Sequence, residues 1–180
     1  PSGIKYQGDP NHNGSDALTV STWEGVPADA PSFAAAATAP TLTGASHTIA
    51  TDIDGDGKID LIYVRDPDGS AAANNGSLVL RLGDGAGGFA AETAVAVGNN
   101  PASVNAADLN GDGRSDLVVA NYGLGADTQS VDIFLQQGDG TLGPRTPISL
   151  PASYKIGTGD FDGDGDLDIA ALLRDFGDVR

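Results

Sequence analysis

The stretch Thr51 to Leu61 reads TDIDGDGKIDL, and its pattern returns as DLNGDGRSDL from Asp108 and DFDGDGDLDI from Asp160. The first aspartates stand 56 and then 52 residues apart. A period of that size marks a repeated supersecondary unit, so the chain is expected to fold as a tandem array. Other landmarks keep the same period. LRLGDGAGGF from Leu80 is followed by LQQGDGTLGP from Leu135, which places Gly138 55 residues after Gly83. Phe33 and Phe89 each lie 19 residues before the next motif, and Leu142 lies 18 before the last. A fainter copy, LTVSTWEG, begins at Leu18.

Within each period the residue pattern is that of strands. LIYV (61–64), LVLRL (78–82), DLVVAN (116–121) and VDIFL (131–135) are short, rich in branched side chains and bounded by Gly and Asn. FAAETAVAV (89–97) and SVNAAD (103–108) are weaker but extended in character. Pro101, Pro147 and Pro151 argue against helix there. The Ala34–Ala37 run has helical propensity, yet its place in the period marks it as a tightly packed inner strand. With 26 glycines and 10 prolines, a fifth of the chain is turn-forming. The expected fold is all-β, with β-propeller-type blades of four strands in tandem. The periods divide the chain into 1–29, the end of a preceding blade; 30–85, repeat 1; 86–140, repeat 2; and 141–180, repeat 3. The opening PSGIKYQ, without an initiator Met, reads as a processed or excised segment. Gly3–Gln7 and Leu18–Glu24 would be third and fourth strands of the preceding blade, and Ile169–Leu173 the third strand of the last one. That reading leaves the last blade short of a strand. The chain is then either a fragment of a longer propeller or a unit whose blades are completed by neighbouring chains, a possible homo-oligomer or polymer.

Each motif supplies oxygen donors at positions 1, 3, 5 and 9. They are Asp52, Asp54, Asp56 and Asp60; then Asp108, Asn110, Asp112 and Asp116; then Asp160, Asp162, Asp164 and Asp168. Position 6 is always Gly, which permits a sharp turn. Position 7 would lend only its backbone carbonyl, so its side chain is free to vary: Lys58, Arg114, Asp166. Oxygen donors on alternate residues, with no His or Cys among them, wrap a loop around a hard cation and point to three Ca²⁺ sites. Twelve of the chain's 25 acidic residues fall in these motifs. Three bound ions would bring the formal net charge from −16 to −10. An EF-hand is the rival, but it closes with Glu at position 12 and continues into a helix. Here position 12 is Tyr63, Val119 and Ala171, within β-type runs.

These units resemble FG-GAP/VCBS repeats, the blades of integrin-α-type β-propellers. The second unit carries the likeness best, with GGF at 87–89, NNPASVNAADLNGDGRSDLVVANYG at 99–123 and VDIFLQQGDG at 131–140. The resemblance implies calcium in the loop between the second and third strands of each blade. It also implies an extracellular, cell-surface or periplasmic setting. Relatives of this kind are adhesion receptors, lectins and non-catalytic parts of secreted enzymes.

Nine Lys plus Arg argue against a basic nucleic-acid groove, and no apolar run reaches the roughly 20 residues of a membrane helix. Cysteine is absent, so neither disulfides nor thiolate sites contribute. His12 and His47 lie in unrelated contexts and no catalytic constellation is visible, so no enzymatic activity is expected. Asp175-Phe-Gly matches a kinase motif in letters only, and GDGAGG at 83–88 lacks the GK[ST] of a phosphate loop. Asn13-Gly-Ser and Asn75-Gly-Ser are glycosylation sequons. The expected role is structural or adhesive, toward a protein or glycan ligand. The alternative is a carbohydrate-binding module, or the non-catalytic part of a polysaccharide-degrading enzyme. Trp23, Tyr6, Tyr63, Tyr122 and Tyr154 would then stack on sugars.

Overall fold

The computed structural model describes residues 42–66, 76–123, 129–150 and 153–173. From Ala45 onward they belong to one compact unit. All regular structure among them is strand, and none of it is a helix long and apolar enough to cross a membrane. The N-terminal strands expected at 3–7, 18–24 and 34–37, both sequon asparagines, His12, Trp23 and Tyr6 lie outside the described residues.

The first sheet contains β1 (Ala45–Thr51), β2 (Asp60–Arg65), β3 (Ser77–Arg81) and β4 (Thr93–Ala96), in that spatial order and antiparallel throughout. The second repeats it with β5 (Pro101–Ala107), β6 (Asp116–Asn121), β7 (Ser130–Phe134) and β8 (Thr146–Ser149). A third unit supplies the antiparallel pair β9 (Ser153–Gly159) and β10 (Asp168–Leu173). Four-stranded antiparallel sheets following one another in this way are the blades of a β-propeller, here an open array. The repeat reaches into fine detail. The β1–β2 register shifts between Ala45 and His47, and the β5–β6 register shifts at the equivalent Pro101 and Ser103.

Sequence explains which strand sits where. All six residues of β6 are buried, because neighbouring sheets cover both of its faces. Strands of that kind read as continuous apolar runs, as DLVVAN does, and not as alternation. The outer strands TAVA and TPIS are largely exposed. Pro147 is tolerated at such an edge because its missing N–H costs no ladder bond. Between the first two sheets lies a core of Ile53, Ile62, Val64, Leu78, Val97, Val104, Leu117, Val119 and Phe134. Ile62 and Val64 share one face of β2, and Leu117 and Val119 share one face of β6. Each such aliphatic side chain, fully buried, contributes roughly 1.5–3 kcal/mol.

The sheets are phased differently from the expectation. Thr93–Ala96 pairs with β3 and closes the first sheet, instead of opening the second. The motif loops therefore join the first and second strands of each sheet, not the second and third. The cause is a tight turn after β3. Gly83 bridges Phe89, and the Asp84 N–H donates to Gly88 O at 3.0 Å, which folds the chain straight back along β3. A repeat can be cut anywhere along its period, and the hydrogen bonds cut this one between Ala96 and Pro101. The link there is fixed by close contact. A side chain on Gly98 would collide with Asn121, and the Gly98 N–H donates to buried Asp132 at 2.9 Å. Arg145 neutralises the same carboxylate at 2.7 Å.

Candidate metal centre

Three loops, 52–59, 108–115 and 160–167, connect β1 to β2, β5 to β6 and β9 to β10. Glycines at positions 4 and 6 adopt left-handed backbone in all three: Gly55 and Gly57 at φ 80° and 83°, Gly111 and Gly113 at 73° and 84°, Gly163 and Gly165 at 81° and 97°. A residue with a Cβ would be strained at either place.

The position 1 aspartate organises the curl. Asp52 accepts the N–H groups of Gly55 and Gly57, both at 2.8 Å. Asp108 accepts those of Asp112 and Gly113, and Asp160 those of Gly163 and Gly165. Positions 3 and 5 then make two successive Asx turns. Asp54, Asn110 and Asp162 each accept the N–H two residues on at 3.1 Å. Asp56, Asp112 and Asp164 do the same for Lys58, Arg114 and Asp166 at 2.9, 3.0 and 2.9 Å.

The result is a cluster of oxygens. Asp52, Asp54 and Asp60 each bring one carboxylate oxygen within 4.8 Å of the others, and Asp160, Asp162 and Asp168 do likewise. The second loop carries Asp108, Asn110 and Asp116 at the same three positions, with an amide in place of the central carboxylate. Position 5 stands apart from these groupings. Asp56 forms an ion pair with Lys58 at 2.5 Å, and Asp112 forms one with Arg114. Asp166, the third residue at position 7, carries no cation.

The electrostatics fit a cation-binding group. Burial, and then the neighbouring carboxylates of Asp56, Asp60 and Asp52, push the Asp54 pKa up, although its bond from the Asp56 N–H works the other way. Hydrogen bonds from Lys58 lower the Asp56 pKa, and the bond to Asp56 raises that of Lys58. Like charges so close need a counter-ion, and an all-oxygen donor set suits a hard one.

Position 9 has a second task that the sequence did not disclose. Asp60 and Asp116 are buried, at 1% and 0% exposure. Asp60 accepts the Ile53 N–H at 2.9 Å with one oxygen and the Gly83 N–H at 2.8 Å with the other. Asp116 accepts those of Leu109 and Gln136 at 3.0 and 2.8 Å. Asp168 accepts the Phe161 N–H at 3.0 Å. In the first two units the closing aspartate thus ties its loop to the turn beyond the third strand. These bonds also correct the sequence register, because Gly83 corresponds to Gln136 and not to Gly138. Gly83 bridges Phe89 as Gln136 bridges Leu142, and Gly87 and Gly140 share positive φ. The common letters GDG sit two residues apart in the two turns.

The family model for the FG-GAP-like repeat matches residues 52–119 and 108–171, each match beginning at a position 1 aspartate. The chain belongs to the FG-GAP-like repeat family. No curated protein matches it. In this FG-GAP-like chain the described tyrosines have partners within the protein. Tyr63 is fully buried and its hydroxyl donates to Glu92 at 2.6 Å. Tyr122 and Tyr154 pack edge to face, with ring centroids 6.1 Å apart.

Proposed function

We propose that this chain is a calcium-stabilised part of an extracellular β-propeller, without catalytic activity, whose blades present a surface to a protein or glycan ligand. The observation that carries the reading is the recurrence of one oxygen-rich loop in three successive units, with the same two Asx turns in each. Asp52, Asp54 and Asp60 would hold the first ion, Asp108, Asn110 and Asp116 the second, and Asp160, Asp162 and Asp168 the third. Asp56, Asp112 and Asp164, with the position 7 carbonyls of Lys58, Arg114 and Asp166, would complete each set. A bound ion supplies positive charge that neutralises the clustered carboxylates. Because each loop joins paired strands, and the first two close on a buried aspartate, filling them should be coupled to folding. Calcium suits these flexible loops better than magnesium, which demands a stricter octahedron and retains water.

The structural reading is favoured over the lectin reading by the described tyrosines. Tyr63 is buried within the protein, and Tyr122 and Tyr154 pack edge to face on each other. Calorimetric titration of the chelator-treated protein with Ca²⁺ and with Mg²⁺ tests the proposal. Micromolar-to-millimolar calcium binding at three sites, with weaker magnesium, is the expected result; no binding of either ion would overturn it. Light scattering in calcium and in chelator then decides whether copies assemble through their exposed strands. A glycan array separates a protein ligand from a sugar.

A further inference from the structure

Two side-chain hydrogen bonds cross from β1 to β5, the inner strands of the first two sheets. The Ser46 hydroxyl donates to Pro101 O at 2.6 Å. In the other direction, the Val104 N–H donates to His47 Nδ1 at 3.3 Å. An imidazole can accept at Nδ1 only while that nitrogen carries no proton, so His47 is held as the neutral Nε2–H tautomer. We infer that His47 makes the joint between the first two sheets sensitive to acid, because protonation of Nδ1 replaces the acceptor of the Val104 N–H with a second donor.

The surroundings leave a charged imidazole without compensation. On β1 itself the flanking residues Ser46 and Thr48 are neutral. From β2 the register partner is Val64, an apolar side chain in the core. From β5 comes the Val104 backbone, which offers only a donor. From β9 comes Lys155, whose ammonium repels an imidazolium. No carboxylate is among the groups acting on His47. Burial first, and then Lys155, hold its pKa below the ordinary 6.5. The neutral form is therefore the one the fold prefers. Its contribution is complete above pH 6.5 and is lost as the pH falls through the lower value of the folded protein.

The device belongs to one joint. His47 stands five residues before Asp52, and the residues at that place in the next two units are Ser103 and Lys155. The bond that crosses from β5 to β9 runs from Asn105 Nδ2 to Thr158 Oγ1 at 2.9 Å, and neither group titrates near neutrality. Acid should loosen the first joint and leave the second in place.

The test compares the wild-type chain with His47→Gln at fixed, saturating calcium between pH 7.5 and 5. Gln can accept the same N–H without titrating. Hydrogen exchange of the Val104 amide, corrected for the intrinsic effect of pH, should accelerate several-fold on acidification in the wild type and stay nearly flat in the variant. Lys155→Gln should move the transition to higher pH. If His47→Gln does not fold, the wild type alone decides. The His47 ring and the Val104 amide must then titrate together in NMR spectra, at a pH below 6.5. Parallel exchange profiles in the two proteins, or a His47 ring that titrates without moving Val104, would overturn the inference.

Discussion

Asp116 Oδ1 accepts the Gln136 N–H at 2.8 Å, a buried bond between the end of the second loop and the turn beyond β7. With its other oxygen on Leu109, this carboxylate satisfies two backbone donors without any ion. A residue that served only as a metal ligand would matter only in calcium. Asp116 should matter without it. Asp116→Ala orphans two N–H groups and should cost about 3 kcal/mol, since each bond to a charged acceptor contributes roughly 1.5–3 kcal/mol. Urea unfolding in excess chelator reads this directly. Asp108→Asn, which keeps an oxygen acceptor, should lose much less under the same conditions.

Loop charge should rank the three sites. Asp160, Asp162, Asp164, Asp166 and Asp168 give the third loop a formal charge of −5. Four aspartates against Lys58 leave the first at −3, and three aspartates against Arg114 leave the second at −2. Ligand charge is one of the quantities that tunes calcium affinity. The expected order is third, first, second. Titration of single-site variants, with Asp→Ala at position 1 of the other two loops, measures it. A second site that bound most tightly would show that loop rigidity outweighs charge.

Lys58 and Arg114 should act as built-in competitors. Each pairs with the position 5 carboxylate of its own loop. A cation drawing Asp56 or Asp112 inward must break the pair and overcome repulsion from the side chain. The pairs are exposed and screened by water, so each contributes little to stability. Lys58→Gln and Arg114→Gln should therefore tighten calcium binding at their own sites by a factor of a few, more at low salt than at high. Unchanged affinity in both variants would mean that position 5 does not reach the ion.

Much of this arrangement was legible in the sequence because it depends on local spacing. Alternate-residue donors, glycine at fixed places and short branched runs are properties of ten-residue windows, and they gave the loops and the strands. What failed to show depends on contacts across tens of residues. Thr93–Ala96 has the same appearance whether it ends one sheet or begins the next, and only the 84–88 turn decides between them. The equivalence of Gly83 with Gln136 was masked by the common letters GDG, because similarity of residues outweighed the bonds that fix the register. The staple made by Asp60 and Asp116 was hidden because a carboxylate at position 9 looks the same whether it faces an ion, a backbone amide or both.

Tyr63 and Glu92 link β2 to the segment leading into β4, and their bond should give stability a limit at each end of the pH range. The Tyr63 hydroxyl, buried and bonded to Glu92, has its pKa pushed up to about 12. Glu92 is held below the ordinary carboxylate value, first by that hydroxyl and then by Arg65. For Tyr63 the raised value means that the neutral form is the one the fold prefers. Its contribution is whole below about pH 10, the unfolded value, and is lost between about 10 and 12 as the unfolded chain ionises first. For Glu92 the lowered value has the opposite sense. Its contribution is present above about pH 4.5 and is lost as the pH falls through the folded value. Tyr63→Phe removes the hydroxyl while keeping the ring packed among its neighbours. At neutral pH it should cost about 1 kcal/mol. It should also abolish the alkaline loss between 10 and 12 and weaken the acid loss. Thermal unfolding of both proteins across pH 3 to 11.5, in chelator so that calcium does not contribute, measures all three effects. Wild-type and variant curves that run parallel at both ends would show that the hydroxyl bond carries no pH-dependent stability, and that the ring alone accounts for the burial of Tyr63.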